Sequence, residues 1–176
     1  MIDEFTPYSI ESLQPTQWRE YRDIWLEALK EMPEVFFADY EEQSKQPDEV
    51  WKERLNAALK EDDIIVIFAI AEGKPIGFLG AYIDTNPKFR HIAVIWGAFV
   101  RYNFRHRGIS KAMMDAFMKK INSRPEITKI KTYSVTNERL AVSIFKNYGF
   151  ELIAIAKNEI KLGDEYRNVY IMEKLL

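Results

Sequence analysis

The residues best suited to chemistry in this sequence form a short basic turn, Arg105-His106-Arg107-Gly108-Ile109-Ser110. The turn lies between an apolar, strand-like run from His91 to Val100 and an amphipathic, helix-like run from Ile109 to Ile121. The first N–H groups of a helix have no intrahelical partner and lie at the positive end of the helix dipole, so they attract anions. Gly108 lets the backbone come close to a ligand. The pattern predicts a phosphate site, although the same residues would also suit an ordinary solvated helix start.

Composition narrows the chemistry that this chain can perform. It has 176 residues, 47% of them hydrophobic and 30% charged, which suits one globular domain over residues 1–176. There is no cysteine, which excludes thiolate chemistry, and with only His91 and His106 we expect no metal site. The sequence has no apolar run of membrane-spanning length, and Met1–Glu4 lacks the basic start of a leader peptide. We therefore expect a soluble, cytoplasmic protein with no membrane partner.

Acidic residues are concentrated in one part of the chain. The segment from Glu27 to Asp63 holds twelve acidic and five basic residues, a net charge of −7, whereas the whole chain carries −2. The remainder therefore carries about +5. Such a separation suits a protein that binds an anionic ligand at the basic turn and a cationic ligand elsewhere, but a solvated acidic helix face would produce the same pattern.

Hydrophobic periodicity predicts the elements that position the turn. Two helices come first, over Thr16–Met32 and Pro47–Lys60. The β-branched runs Ile64–Ala71 and Ile76–Ile83 then predict a hairpin with a turn at 72–75, and Gly97 could mark a bulge in the strand that follows. The later elements are the strand His91–Val100, the helix Ile109–Ile121, the strand Ile127–Val135, a short helix from Asn137 capped by Gly149, and the strands Phe150–Leu162 and Tyr166–Leu175. This order predicts a mixed α/β (α+β) sandwich with a largely antiparallel sheet.

Two motifs in this order resemble the GNAT family of acyl-coenzyme A N-acyltransferases. The family's phosphate turn reads Arg/Gln-x-x-Gly-x-Gly/Ala after a strand that ends in Val, and here Val100 precedes Arg105 to Ser110 with Ser at the last position. A second pattern, Asn followed by Ala, an aromatic residue and a terminal Gly-Phe, is similar to Asn137, Ala141, Phe145, Gly149 and Phe150. The closing strand 166–172 and the first helix, from Ala28 to Phe36, are also similar to family segments. The resemblance thus covers nearly the whole chain.

The resemblance implies an N-acetyltransferase that moves an acetyl group from acetyl-coenzyme A to a primary amine. It implies a three-layer sandwich in which a twisted, mostly antiparallel sheet is flanked by helices. Backbone groups of Ala98, Phe99 and Val100 on a splayed strand would pair with the pantetheine arm of the cofactor. The backbone amides of the turn would hold the pyrophosphate, and these belong to Arg105, His106, Arg107, Gly108, Ile109 and Ser110. Asn137 and Phe145 would line the other side of the arm, and each also suits a structural role, as a helix N-cap and a core aromatic.

The resemblance leaves the catalytic groups unassigned. The position that usually holds a tyrosine, proposed as the general acid, is Phe145, and the strand 91–100 lacks the glutamate that often serves as base. Tyr148 and Tyr133 are candidate acids that also suit core positions. The candidate bases, which also suit plain surface positions, are Glu31, Glu34 and Asp84. Ordered water could relay the proton instead.

Three classes of function remain open. The first is the acetyltransferase, whose acidic helices favour a cationic acceptor such as a polyamine, a lysine side chain or a protein N-terminus. The second is a non-catalytic acyl-coenzyme A sensor or interaction domain, motivated by Phe145. The third is a nucleic-acid binder using Arg101, Arg105, Arg107 and Lys111, which the net acidic charge disfavours, so we expect no nucleic-acid partner. By analogy with the family, an exposed final sheet edge would permit a homodimer.

Overall fold

Seven strands form one sheet in the computed structural model, which describes residues 6–135 and 139–176. The strands are β1 Ser9–Glu11, β2 Ile64–Ala71, β3 Lys74–Ile83, β4 Ile92–Val100, β5 Lys129–Val135, β6 Glu151–Leu162 and β7 Glu165–Leu175. Their order across the sheet is β1-β2-β3-β4-β5-β7-β6. Every neighbouring pair is antiparallel except β4 and β5, which are parallel. The predicted mixed α/β fold with a mostly antiparallel sheet is confirmed.

Helices cover both faces of this sheet. They are α1 Trp18–Glu31, α2 Tyr40–Ser44, α3 Asp48–Lys60, α4 Ile109–Asn122 and α5 Arg139–Asn147. α1 and α3 pack on one face through a core that includes Trp51 and Phe68, and α4 and α5 pack on the other through a core that includes Phe117 and Phe145. Within the described ranges, no helix is long and apolar enough to cross a membrane.

Two short elements, β1 and α2, are absent from the sequence prediction. β1 has three residues and α2 has five, too few for a hydrophobic period to show. β1 exists because it pairs with β2, and α2 begins where the Asp39 carboxylate accepts a hydrogen bond from the Glu42 N–H at 2.9 Å. Both elements therefore depend on contacts that periodicity does not report.

The first hairpin turn is tighter than predicted. Glu72 and Gly73 have φ values of 50° and 73°, which is the backbone of a two-residue hairpin turn matched to strand twist. Lys74 and Pro75 consequently pair with Ala71 and Ile70, so β3 begins two residues before the predicted position.

An aromatic cluster fixes the segment after α1 against β4. The bulge predicted around Gly97 is confirmed, because Gly80 pairs with Gly97 and Ala81 with Ile95, leaving Trp96 as the extra residue. A Cβ atom built on Gly80 would lie 1.8 Å from Trp96 Cζ2, and one on Gly97 would lie 2.4 Å from Phe36 Cε1. The two glycines thus provide the space that the Trp96 and Phe36 rings fill.

The free edge of the sheet at β6 carries exposed apolar side chains. Leu152, Ile153 and Ile155 are each more than two-fifths exposed, and the strand pairs with β7 on its other side. Exposed apolar edges favour pairing with another strand. The homodimer through this edge stays a prediction.

Candidate functional site

The two parallel strands part from each other halfway along β4. They pair over four residues in the described structure, Ile92–Ile95 of β4 with Lys129–Thr132 of β5. Beyond this point β4 runs to Val100 paired with β3, and β5 runs to Val135 paired with β7. The facing edges of the parted section therefore present backbone N–H and C=O groups that a strand-like ligand can pair with. The predicted cofactor residues Ala98, Phe99 and Val100 lie on this section.

The basic turn leads directly into the start of α4. Gly108 is the residue before the helix, with φ +76, and no side chain caps the helix start. Ala112 donates the first backbone hydrogen bond of the helix to the Gly108 carbonyl at 2.9 Å. A Cβ atom on Gly108 would meet no heavy atom within 4 Å, and a cavity lies beside Gly108, Ile109 and Ser110, so the space at the helix start is open. The arrangement suits an anion, because uncapped N–H groups and the helix dipole face an open space.

Arg105 braces this turn. Its Nε donates to the Val100 carbonyl at 2.9 Å, and its Nη2 donates to Glu31 Oε2 at 3.0 Å. Arg101 makes a similar contact with Glu27, which lies one turn before Glu31 on α1. The Arg101 Nε donates to Glu27 Oε2 at 2.9 Å. Glu31 of α1 therefore holds the basic turn in place, and Glu27 holds the chain just before it. The side chain of Arg105 orders the turn, and a direct contact between Arg105 and the cofactor stays a prediction.

Two adjoining cavities, together called the groove, lie between the α4 start and the parted section of β4. Its outer part is a cavity of about 550 Å³ beside Gly108, Ile109 and Lys111. Its inner part, about 230 Å³, lies between Ala98 on β4 and Phe145 on α5. The two parts share five lining residues, which are Val100, Arg105, His106, Ser110 and Ile144.

Most of the predicted cofactor residues meet along this groove. Those that line it are Ala98, Phe99, Val100, Arg105, His106, Gly108, Ile109, Ser110 and Phe145. Arg107 instead donates from Nη2 to the Asn103 carbonyl at 3.0 Å and lies over the Phe104 ring. Asn137 lies outside the described residues. A groove with an uncapped helix start at one end and free strand edges at the other fits a ligand with a pyrophosphate and an amide-bearing arm, as in coenzyme A.

Phe145 and Tyr148 have different surroundings in this groove. Phe145 is 8% exposed and packs on Phe150, with ring centroids 5.2 Å apart. The Tyr148 hydroxyl donates to Asp115 Oδ1 at 2.5 Å in the outer part. Burial, together with the neighbouring Asp115 carboxylate, raises the pKa of Tyr148 to about 12. Tyr148 thus keeps its proton at neutral pH and shares it with Asp115, away from the parted strands.

A third cavity, also about 550 Å³, lies on the α1 face of the sheet beside the parted strands. Tyr133, the other candidate acid, lines it just beyond the last β4–β5 pair and is 39% exposed. Its opposite wall is the segment 36–40, which follows α1. Sequence reasoning missed this wall, because only tertiary packing brings the segment over β5 and β7.

The three candidate bases lie at different places. Glu31 is paired with Arg105, and Glu34 lies half-buried in the turn after α1. Asp84 accepts the Asn86 N–H at 2.8 Å beyond Ile83, which pairs with Ala93 at the end of β4 remote from the basic turn. A catalytic role for any of them stays a prediction. Within the described ranges, no three His, Asp or Glu side chains are grouped as metal ligands.

Comparisons with known proteins agree with this fold. A family model of the acetyltransferase (GNAT) family matches residues 10–150. The L-amino acid N-acetyltransferase AaaT of Escherichia coli (strain K12) is 24% identical over 128 residues, which are 73% of this chain and 76% of that protein. The structure of a GNAT-family acetyltransferase from Streptococcus pneumoniae superimposes with a TM-score of 0.85 at 17% identity, over 97% of this chain and 99% of that one. The structure of yncA, a putative acetyltransferase from Salmonella typhimurium with its cofactor acetyl-CoA, superimposes with a TM-score of 0.82 at 10% identity, over 97% of this chain and 94% of that one. The chain therefore belongs to the acetyltransferase (GNAT) family.

Proposed function

We propose that this protein transfers an acetyl group from acetyl-coenzyme A to a primary amine. The observation that carries the proposal is the groove, whose two adjoining cavities extend from the uncapped start of α4 to the parted section of β4. An acyltransferase needs both ends of this groove, since one end must hold the anionic carrier and the other must place the thioester within reach of an acceptor. The name of the Escherichia coli relative, an L-amino acid N-acetyltransferase, supports an amine acceptor.

Each part of the groove has a role in this reaction. Acetyl-coenzyme A supplies the acetyl group as a thioester, whose carbonyl carbon the neutral amine attacks directly in a ternary complex. The backbone N–H groups at the start of α4 hold phosphate oxygens, and free N–H groups along 97–100 hold the arm and can polarise the thioester oxygen. Met32 and Phe145 line the inner part and exclude water from it.

The proton balance needs no acidic side chain. The new N–C bond forms as the C–S bond breaks, and the proton lost by the amine balances the proton gained by the departing thiolate. The Tyr148 hydroxyl already donates its proton in a hydrogen bond to Asp115, so a water molecule is the better carrier for the proton of the amine. The amine approaches from the third cavity, which meets the parted strands at Tyr133.

The cofactor half of the proposal is tested by calorimetric titration with acetyl-coenzyme A. We expect binding at micromolar ligand, and absence of binding at millimolar ligand would contradict the proposal. The transfer half is tested by measuring thiol release with a panel of polyamines, lysine derivatives, amino acids and peptides. Mass spectrometry of the products identifies the acetylated amine.

A second function is favoured by one observation. Phe145 replaces the tyrosine proposed as acid in the family, and its ring has no proton to give. A non-catalytic acyl-coenzyme A sensor would bind the cofactor but release no thiol with any amine. Turnover with a single amine in the panel would exclude this alternative.

A further inference from the structure

His106 lies where the two parts of the groove meet. It lines both of them, and it is exposed. Its φ value of 64° is left-handed, a conformation that histidine and asparagine tolerate better than most residues do. In the proposed function the diphosphate of acetyl-coenzyme A lies at the start of α4, and this helix begins at Ile109, three residues after His106. The imidazole ring is therefore beside the place of the diphosphate.

The permanent cations that line the groove already have partners in the protein. Arg105 donates from Nη2 to Glu31 Oε2 at 3.0 Å, and Lys111 donates to Asp115 Oδ2 at 2.7 Å. The ring of His106, by contrast, has no hydrogen bond, ion pair or ring contact within the part of the chain that the structure describes. It is thus available to an anionic ligand in the groove.

His106 also differs from its neighbours in how its charge depends on pH. Carboxylates, lysines and arginines keep their charges between pH 6 and pH 8, and histidine is the side chain that gains or loses a proton in this range. Burial and the neighbouring Asp115 raise the pKa of Tyr148 to about 12, so its hydroxyl stays neutral. The other titratable groups around His106 are Glu31 on α1, Arg105 and Arg107 in the basic turn, and Lys111 and Asp115 on α4.

We propose that the imidazole of His106 is a phosphate-binding side chain whose contribution depends on pH. The protonated ring attracts the diphosphate more strongly than the neutral ring does, so the affinity for acetyl-coenzyme A increases as the pH falls from 8 to 6. Binding therefore takes up a fraction of a proton from the solution. The attacking amine must be neutral, which a higher pH favours, so cofactor binding and amine attack have opposite pH dependence. This proposal rests on the cofactor half of the proposed function.

The first experiment is a calorimetric titration of the wild-type protein with dephospho-coenzyme A at pH 6 and pH 8. This ligand keeps the diphosphate but lacks the 3′-phosphate, a monoester that itself changes charge near pH 6. We expect a Kd about threefold lower at pH 6, which is the effect of one exposed ion pair. Titrations at pH 7 in buffers of different ionisation enthalpy measure the protons taken up, and this number should be positive. Equal Kd values at the two pH values, or no proton uptake, would overturn the proposal.

This titration also separates the two proposals. If neither acetyl-coenzyme A nor dephospho-coenzyme A binds at either pH, the proposed function fails together with the role of His106. If acetyl-coenzyme A binds, and dephospho-coenzyme A binds equally at both pH values or not at all, only the role of His106 is wrong.

The second experiment uses the other histidine of the chain as a matched control. His91 is also exposed, but it precedes β4 at the end of that strand remote from the basic turn. Asparagine removes the titrating ring at either position and tolerates the left-handed backbone of His106. We expect His106→Asn to bind dephospho-coenzyme A with the same Kd at pH 6 and pH 8, and His91→Asn to keep the wild-type ratio. A ratio that persists in His106→Asn, or is lost in His91→Asn, would overturn the proposal.

A third variant separates the charge of the ring from its shape. Lysine carries its charge at both pH values, so His106→Lys should bind dephospho-coenzyme A at pH 8 about as tightly as the wild type does at pH 6. A substitution that merely disturbed the turn would weaken binding at both pH values. A Kd at pH 8 above the wild-type value would therefore contradict the role of charge.

Discussion

Gly108 and Gly73 form a matched pair for testing the phosphate site. Their φ values are +76° and +73°, and an added Cβ atom would meet no heavy atom within 4 Å at either position. Alanine at each should therefore incur the same left-handed strain, about 1–2 kcal/mol, without a steric clash. The surroundings differ, because Gly108 precedes α4 in the groove and Gly73 lies in the β2–β3 turn.

Both variants should lose stability equally, and only one should lose affinity. A domain of this size loses about 2–4 °C in melting temperature per kcal/mol, so each should melt roughly 2–8 °C lower. If the proposed phosphate site is correct, the new methyl group of Gly108→Ala should also enter the outer part of the groove and displace a phosphate oxygen from its N–H donor. A hydrogen bond to a charged group contributes about 1.5–3 kcal/mol, which corresponds to a roughly 10- to 150-fold higher Kd for coenzyme A.

Thermal unfolding followed by circular dichroism measures the strain, and calorimetric titration with coenzyme A measures the affinity. Gly73→Ala is the control for destabilisation alone, and its Kd should match that of the wild type. The reasoning is refuted if Gly73→Ala weakens binding as much as Gly108→Ala does. It is equally refuted if Gly108→Ala melts lower yet binds coenzyme A with the wild-type Kd.

Two further substitutions test the groove and the core. Hydrogen bonds from Lys111 and from Tyr148 lower the pKa of Asp115. Tyr148→Phe removes the second of these, so that pKa should rise part of the way toward its usual value in a carboxyl NMR titration. Because the folded-state pKa is lowered, the associated stabilisation is present at neutral pH and is lost as the pH falls through the carboxyl range. The kcat of this variant should stay near that of the wild type, whereas a loss of about a hundredfold would identify Tyr148 as the general acid. Gly80→Ala would bring a Cβ atom to within 1.8 Å of Trp96, so urea unfolding should show a loss of about 1–3 kcal/mol, and unchanged stability would contradict the packing described for Trp96.

Hydrophobic periodicity predicted well the elements that depend only on residues within their own segment. β2 spans the predicted residues 64–71, and α4 begins at Ile109 as expected. A β-branched run and an amphipathic stripe each carry their own signal within one segment. The elements that it missed, β1 and α2, are too short for such a signal.

The basic turn could also be recognised from the sequence, because its chemistry needs only a glycine and a helix start that are adjacent in the chain. What the sequence could not indicate is the partner of Arg105. Glu31 lies 74 positions earlier and meets Arg105 only because α1 packs across β4. The same packing turns part of the acidic segment into support for the basic turn.

The sequence by itself determined the order of the elements, the basic turn and the resemblance that indicated an acyl carrier. Tertiary structure alone decided where β4 and β5 part, because the parting depends on β3 and β7 continuing to pair with their outer edges. It also decided the form of the third cavity, since its wall at 36–40 and its floor on β6 and β7 lie more than a hundred residues apart. The basic turn is built from neighbours in the chain, whereas the third cavity is built from neighbours in space.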